Sequence, residues 1–282
     1  MTPKITLQQV NRLSPTVDLQ ADLRIEAEIF MRELGDIARE DIGNTGLLVR
    51  KVMESYLDIN PELSEHEEIL EKSLYFASEH HQGQYRANGD PFLVHALHAG
   101  GLLTFIRRYA RTISAGVVAV SGGILHDSVE GKYDFENLSP KENAEIRRDM
   151  LDAMYSYLGR GSLANEITTK VHYLTPPPIQ DTALKKRYIM NQILRVRDHD
   201  VDAIRVCERA PNLMTLAYLG GRKNGNGSVS GSDRRQRIVD DTEKYILGLA
   251  KNVDNQYAGD EIVLKMHPYL RDIIDNKRFD VL

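Results

Sequence analysis

Cysteine is almost absent: Cys207 is the single one in 282 residues, so no internal disulfide can form and nothing calls for an oxidising compartment. Tryptophan is missing and aromatic residues make up 7% of the chain, which leaves few platforms for stacking the bases of a single-stranded nucleic acid. Excess positive charge is also lacking. With 36 Lys+Arg against 41 Asp+Glu and a net charge of -5, nucleic acid is not expected as the main partner, although local basic clusters still allow a small anionic ligand. No apolar run approaches the roughly 20 residues that span a bilayer. The longest, Gly116 to Val120 with its flanks, is far shorter, and the charged N-terminus has no apolar signal segment, so no membrane partner is expected. Period-two strand patterns are scarce, and no internal repeat appears at any fixed spacing. These absences leave a soluble, cytoplasmic, helical protein, long enough for one core with helical additions.

The helical periodicity is plain. Leu19, Leu23, Ala27, Phe30, Leu34 and Ile37 recur at three- and four-residue steps after Pro15, and Leu48, Val52 and Tyr56 continue the pattern up to the Asn60-Pro61 break. Residues 1–62 therefore read as a helical N-terminal extension, either packed on the core or serving a homo-oligomer contact. Ser64 with Glu67 suggests a capping box ahead of a helix carrying Leu70, Leu74, Ala77 and His81 on one face. Further helices are predicted over Pro91–Arg107, Val117–Val129, Lys141–Leu158, Leu184–Val196, Ala203–Leu219 and Arg235–Lys251. The stretch Asn224–Asp233, NGNGSVSGSD, reads as a flexible loop, and Thr175-Pro176-Pro177-Pro178 as a rigid connection. Residues 63–222 form the core of this scheme, and 223–282 a loop followed by C-terminal helices packing on it.

Two His-Asp dipeptides occur, and chance alone supplies roughly one in a chain of this kind. His199-Asp200 lies in the charged stretch RVRDHDVD and reads as a solvated turn. His126-Asp127 ends the apolar run VVAVSGGIL, where a buried polar pair must be satisfied by partners or by a metal. Imidazole with carboxylate suits Mn²⁺, Fe²⁺ or Mg²⁺. Glu130, four residues after His126, falls one helical turn along the same face, placed to meet a water. One helix cannot surround an ion; His95, at the start of an apolar helix, and Glu208, in AIRVCERAPNL, are further candidates, and Asn212 shares the face of Glu208. A histidine satisfied within the core and a surface carboxylate are the plainer explanations of His95 and Glu208 taken singly.

Three segments then carry a resemblance. GQYRANGDPFLVH (Gly83–His95), ILHDSVEG (Ile124–Gly131) and RVCERAPNLMTL (Arg205–Leu216) resemble, in order, motifs of the HD-type hydrolase domain of the RelA/SpoT alarmone enzymes, especially their small hydrolase-only relatives. The likeness covers roughly residues 65–250. It implies an all-α HD-domain helical bundle and a 3′-pyrophosphohydrolase of ppGpp. It further implies one Mn²⁺ held by His95, His126, Asp127 and Glu208, with Fe²⁺ or Mg²⁺ as substitutes. Glu130 would activate or orient the attacking water, Arg86 would pack against the purine, and Asn212 and Thr215 would hold the sugar and phosphates of a purine nucleotide bearing a pyrophosphate. Lys186, within Lys185-Lys186-Arg187, is the basic candidate for the pyrophosphate. Because the chain ends soon after these helices, no synthetase module is expected.

The chain departs from that pattern at several places. Glu208 stands where the family has aspartate, Ala87 where it has lysine, Ala96 where it has proline, Gly131 where it has aspartate, and Met214 where arginine is common. His98, one turn after His95, is a histidine that the family does not use, either a spare ligand or a polar group of the core. Two alternatives follow: an HD phosphohydrolase for another purine nucleotide, such as an adenine alarmone or a 2′- or 3′-phosphorylated nucleotide, and a degenerate nucleotide-binding regulatory domain.

Overall fold

A computed structural model describes residues 19–86, 88–106, 113–218, 222–224, 227–229, 231–256, 264–276 and 278. The expectations attached to Pro15 and Ala87 lie outside these residues. The fold is all-α, as predicted, with one short antiparallel ribbon. In chain order the helices are α1 (Leu19–Asp41), α2 (Thr45–Ile59), α3 (Glu67–His80), α4 (Phe92–Ile106), α5 (Ile113–Leu125), α6 (Pro140–Tyr157), α7 (Ser162–Leu174), α8 (Thr182–Val196) and α9 (His199–Met214). The ribbon pairs β1 (Arg222–Asn224) with β2 (Gly227–Val229). Then come α10 (Gly231–Asp241), a π-helical turn at Thr242–Ile246, α11 (Leu247–Gln256) and α12 (Met266–Asp275).

Two helices are apolar on every side and lie at the centre: α4, buried from Leu93 to Ile106, and α5, whose run Val117–Val120 is fully covered. Such a helix can only be buried. They pack against each other where Gly100 meets Gly123. A Cβ on Gly123 would lie 2.4 Å from Leu103 Cδ1 and 3.4 Å from the Gly100 backbone, and one on Gly100 would lie 2.7 Å from Ile124 Cγ1 and from the Tyr56 hydroxyl. Around this pair the other helices contribute one stripe each: Leu23, Ala27, Phe30 and Leu34 from α1, Leu48, Val52 and Tyr56 from α2, Leu70, Leu74 and Ala77 from α3. These stripes belong to one continuous core, so the face of α1 that reads as amphipathic is covered within the chain itself. Among the described residues no helix is long and apolar enough to cross a membrane.

Several local expectations are corrected. Ser64 does not cap α3, because the chain is already in a 3₁₀ turn from Pro61 to His66, and the Ser64 hydroxyl donates to the Pro61 carbonyl at 2.7 Å. A capping box forms instead at Ser139 and Glu142, each side chain meeting the other's backbone N–H. α5 ends at Leu125 rather than running through Val129. His199-Asp200, with His199 exposed as expected, forms the first turn of α9 rather than an irregular turn; the N-cap is Asp198, whose carboxylate accepts from the N–H groups of Asp200 and Val201. α9 therefore starts earlier than predicted and stops at Met214. The Asn224–Asp233 stretch contributes to the ribbon and to the first turn of α10 rather than forming one loop. α7 and α12 were not predicted. α7 buries only the thin stripe Ala164, Ile167, Val171 and Leu174 between β-branched threonines, and α12 carries Pro268 in its first turn, where proline is tolerated.

His98 is a polar group of the core rather than a ligand. It is 2% exposed with Nε2 unpartnered, and burial together with the Arg86 charge pushes its pKa down to about 3. In the unfolded chain it takes a proton near pH 6.5, so its contribution to stability is complete above that value and declines as the pH falls from about 6.5 towards 3, by up to about 1.4 kcal/mol per pH unit. Urea midpoints of the wild type and His98→Gln should thus diverge in pH dependence below neutrality, and parallel profiles would contradict this account. Gly100→Ala should cost about 1–2 kcal/mol, because overpacking exceeds the gain in helix propensity. Gly248→Ala, where a Cβ meets nothing within 4 Å, should gain up to about 1 kcal/mol in the same denaturation assay.

Candidate metal centre

The antiparallel crossing of α4 and α5 sets the N-terminal turn of α4 beside the C-terminal end of α5, which brings His95 and His126 to a ring-centroid separation of 5.2 Å. The end of α5 leaves carbonyls without intrahelical partners, and the His126 Nδ1–H donates to the Gly123 carbonyl at 2.7 Å. A carbonyl can only accept, so Nδ1 carries the hydrogen and Nε2 points onward. Nε2 of His126 is buried, with no hydrogen bond, 3.2 Å from Asp127 Oδ2 and 3.5 Å from Glu208 Oε2. His95 Nε2 lies 3.5 Å from the same Asp127 oxygen. Ligand atoms of His95, His126 and Asp127 come within 4.8 Å of one another. Glu208 stands at the edge of this trio: its longer side chain reaches His126, while Arg205 donates to its other oxygen at 2.5 Å.

The electrostatics match a cation site. Burial and the nearby Arg86 charge keep the His95 pKa well below its usual value, which leaves a neutral ring with a lone pair to offer. Burial works against a charge on His126, but Asp127 and Glu208 outweigh it and raise its pKa to about 9. Burial would raise the Asp127 carboxyl, yet the imidazole of His126 holds it far below the usual range. The pocket thus draws positive charge between two carboxylates, and the orphaned His126 Nε2 is a donor atom such an ion would satisfy. These residues fit a hard or borderline divalent ion.

A cavity of about 360 Å³ opens onto His95 and Asp127 of this trio. Its wall includes Arg86, Glu130, Lys185, Lys186, Arg205, Glu208 and Asn212, with Phe92, Phe135, Leu174, Ile179 and Ile189 as apolar surface. Glu130 reaches the cavity by a different route from the one its spacing suggested: since α5 has ended, a turn after His126 and a 3₁₀ segment from Glu130 to Lys132 carry it there. Burial and the charge of Asp127 raise its pKa, while an ion pair with Lys185 opposes the rise. Arg86 donates to Asn212 Oδ1 at 2.7 Å, and Asn212 donates to the Glu208 carbonyl at 2.9 Å. Lys186 lines the cavity while paired with Asp241.

Thr215 is not brought to the cavity wall. It is buried at the end of α9, and its hydroxyl donates to the Pro211 carbonyl at 2.8 Å. Met214 is turned into the core, where the Tyr269 hydroxyl lies 3.8 Å from its sulfur. Two charged cavity residues were not singled out from the sequence. Lys185 was visible only as part of a basic triplet, and nothing distinguished it from Lys186. Arg205, one turn before Glu208, had its spacing as a signal, since a buried carboxylate calls for a partner at i±3 or i±4.

No family model and no solved structure matches the chain. Among curated proteins, a probable GTP diphosphokinase, RSH3, chloroplastic, of Arabidopsis thaliana is 35% identical over 187 residues, 66% of this chain and 22% of its own length. A probable GTP diphosphokinase, RSH2, chloroplastic, of Oryza sativa subsp. japonica is 34% identical over 155 residues, 55% of this chain and 19% of its own length. A guanosine-3′,5′-bis(diphosphate) 3′-pyrophosphohydrolase of Vibrio cholerae is 24% identical over 185 residues, 65% of this chain and 21% of its own length. The chain spans about a fifth of the length of these relatives. The stretch they match is a domain of the RelA/SpoT type.

Proposed function

We propose that the chain is a Mn²⁺-dependent phosphohydrolase that removes the 3′-pyrophosphate of ppGpp, with GDP and pyrophosphate as products. The observation that carries this reading is the meeting of His95, His126 and Asp127, two of which, His95 and Asp127, line a cavity whose wall bears both acids and bases. Its relationship to a named 3′-pyrophosphohydrolase supports the hydrolytic direction. His95, His126, Asp127 and Glu208 would hold the ion, with Fe²⁺ or Mg²⁺ as substitutes. When bound, the ion polarises a phosphoryl oxygen and supplies a nucleophile at neutral pH.

The residues of the chain do the rest. Glu130 accepts the proton of the attacking water as its oxygen bonds to phosphorus, and that proton passes to the ribose 3′-oxygen as its bond to phosphorus breaks. Its raised pKa suits a base working near neutrality. Arg86 packs against the purine, and Asn212, which already fixes the Arg86 guanidinium, orients the sugar. Lys185 and Lys186 supply positive charge to the pyrophosphate. The apolar wall formed by Phe92, Leu174 and Ile189 excludes water from one side of the ligand.

A second reading has an observation of its own. Where arginine is common in the family, Met214 is buried against Tyr269 and offers no guanidinium to a phosphate, which favours a differently phosphorylated purine nucleotide as substrate.

In elemental analysis, His126→Ala, Asp127→Ala and Glu208→Ala should each lower bound Mn²⁺, whereas Glu130→Gln should retain it and lose about 10²- to 10⁴-fold in kcat. Retained activity without metal in any ligand variant would remove these role assignments. Product analysis of the Mn²⁺-loaded protein with ppGpp, its adenine counterpart and 2′- or 3′-phosphorylated purine nucleotides tests the substrate. Pyrophosphate released from ppGpp is the expected result; turnover of another nucleotide alone moves the chain to the second reading, and metal binding with no turnover of any would leave a regulatory domain.

A further inference from the structure

α1 precedes the motifs that carry the family resemblance, yet its last turn reaches the hairpin that carries the cavity-wall residue Arg86. Arg39 donates from Nε to Asp90 Oδ1 at 2.8 Å and from Nη2 to Asp90 Oδ2 at 3.4 Å, and Asp36 steadies its Nη1 at 2.7 Å. The guanidinium crosses over Gly35. A Cβ there would stand 3.2 and 3.3 Å from its two terminal nitrogens and 3.4 Å from His98 Nε2, so a glycine one turn earlier clears the path to Asp90.

Asp90 in turn shapes the hairpin that carries Arg86. Its carbonyl accepts from the Arg86 N–H at 2.8 Å, the Gly89 N–H donates to the Arg86 carbonyl at 3.0 Å, and Gly89 has the left-handed φ of +89° that this tight reversal needs. The Asn88 amide donates to Asp90 Oδ2 at 2.7 Å. At the base, the Phe92 N–H donates to the Gln84 carbonyl at 2.9 Å and ties the hairpin to α4. The hairpin is thus held at its base by α4 and beside its tip by α1, and between these two anchors Arg86 points towards Asn212.

We propose that Arg39 is a positioning residue for ligand binding: by clamping the Asp90 carboxylate it fixes the 84–92 hairpin so that Arg86 is presented, already oriented, to the nucleotide. The N-terminal helix is therefore part of the binding apparatus. This rests on the reading of Arg86 as a nucleotide contact. A two-point arginine–carboxylate pair holds direction as well as distance, which a lysine cannot reproduce.

The test uses the full-length, Mn²⁺-loaded protein, with hydrogen exchange at the Arg86 and Gly89 amides beside steady-state kinetics on ppGpp, or on whichever purine nucleotide of the panel is turned over. Arg39→Ala should raise KM about five-fold, leave kcat and Mn²⁺ content unchanged, and speed exchange at both amides. Arg39→Lys should recover part of the KM, and Asp90→Asn, which reaches the same contact from the other side, should behave as Arg39→Ala does. Lys51→Ala, which removes the Lys51–Asp41 pair of 2.6 Å on the same helical hairpin, should alter none of these. Unchanged KM and unchanged exchange in Arg39→Ala would overturn the proposal, as would a Lys51→Ala variant that reproduces its effects. If the wild type turned over no purine nucleotide, the functional reading alone would fail; faster exchange in Arg39→Ala but not Lys51→Ala would still support the clamp, and unchanged exchange would sink it.

Discussion

The site depends on how closely α4 approaches α5. Helices usually pack with axes 8–10 Å apart, and bulky side chains at a crossing push them towards the upper end. Here Gly100 and Gly123 face each other, and a methyl group on either would collide with Leu103, Ile124 or Tyr56. His95 lies five residues before one glycine and His126 three residues after the other, so the separation of the two rings is set by the same contact. A wider crossing would part the histidines, and Asp127 could no longer serve both. The apolar character of the two helices, costly anywhere but in a core, is what holds the crossing in place.

Once the crossing exists, α9 completes the arrangement. Ile204 packs over Gly122, where an added Cβ would lie 2.7 Å from its Cδ1; one turn later Glu208 faces His126, and one turn beyond that Asn212 faces Arg86. Pro211 interrupts the backbone hydrogen bonds of this helix, since it has no N–H to give to the Cys207 carbonyl. The neighbouring side chains bond the backbone at that point: Asn212 donates to the Glu208 carbonyl and Thr215 to that of Pro211. The same bond that supports the helix aims the Asn212 amide oxygen at the Arg86 guanidinium. One amide group thus both braces α9 and orients the site.

The elements that were legible in the amino-acid pattern are those whose signal is local. The stripes of α1 to α3 follow from spacing alone, and the unbroken apolar runs of α4 and α5 announce burial. His126-Asp127 stood out because two polar groups end such a run. What spacing could not supply was the place of Glu130: its distance from His126 suggests a shared helical face, but the histidine side chain caps the Gly123 carbonyl and the helix stops before it. Thr215 was misplaced for a related reason, since nothing in its neighbourhood reveals that its hydroxyl turns back onto Pro211. Lys185 and Lys186 differ only by the rotation of about 100° per residue along α8, and which of them faces Glu130 depends on how α8 lies on α7 and α9. The contact between Arg39 and Asp90 joins residues 51 positions apart, and no periodicity speaks to such a pair.

The charges around the cavity are already matched within the protein: Lys185 with Glu130, Lys186 with Asp241, Arg205 with Glu208, and Arg86 against the amide of Asn212. Buried ions left without partners would be costly, so these contacts stabilise the cavity within the protein itself, and an anionic ligand must exchange partners with them. On the proposed function that exchange has a chemical consequence. A pyrophosphate that draws Lys185 towards itself releases Glu130, and the carboxylate that the lysine had occupied becomes available to a water. Arrival of the substrate would then free the base for the water it is to activate.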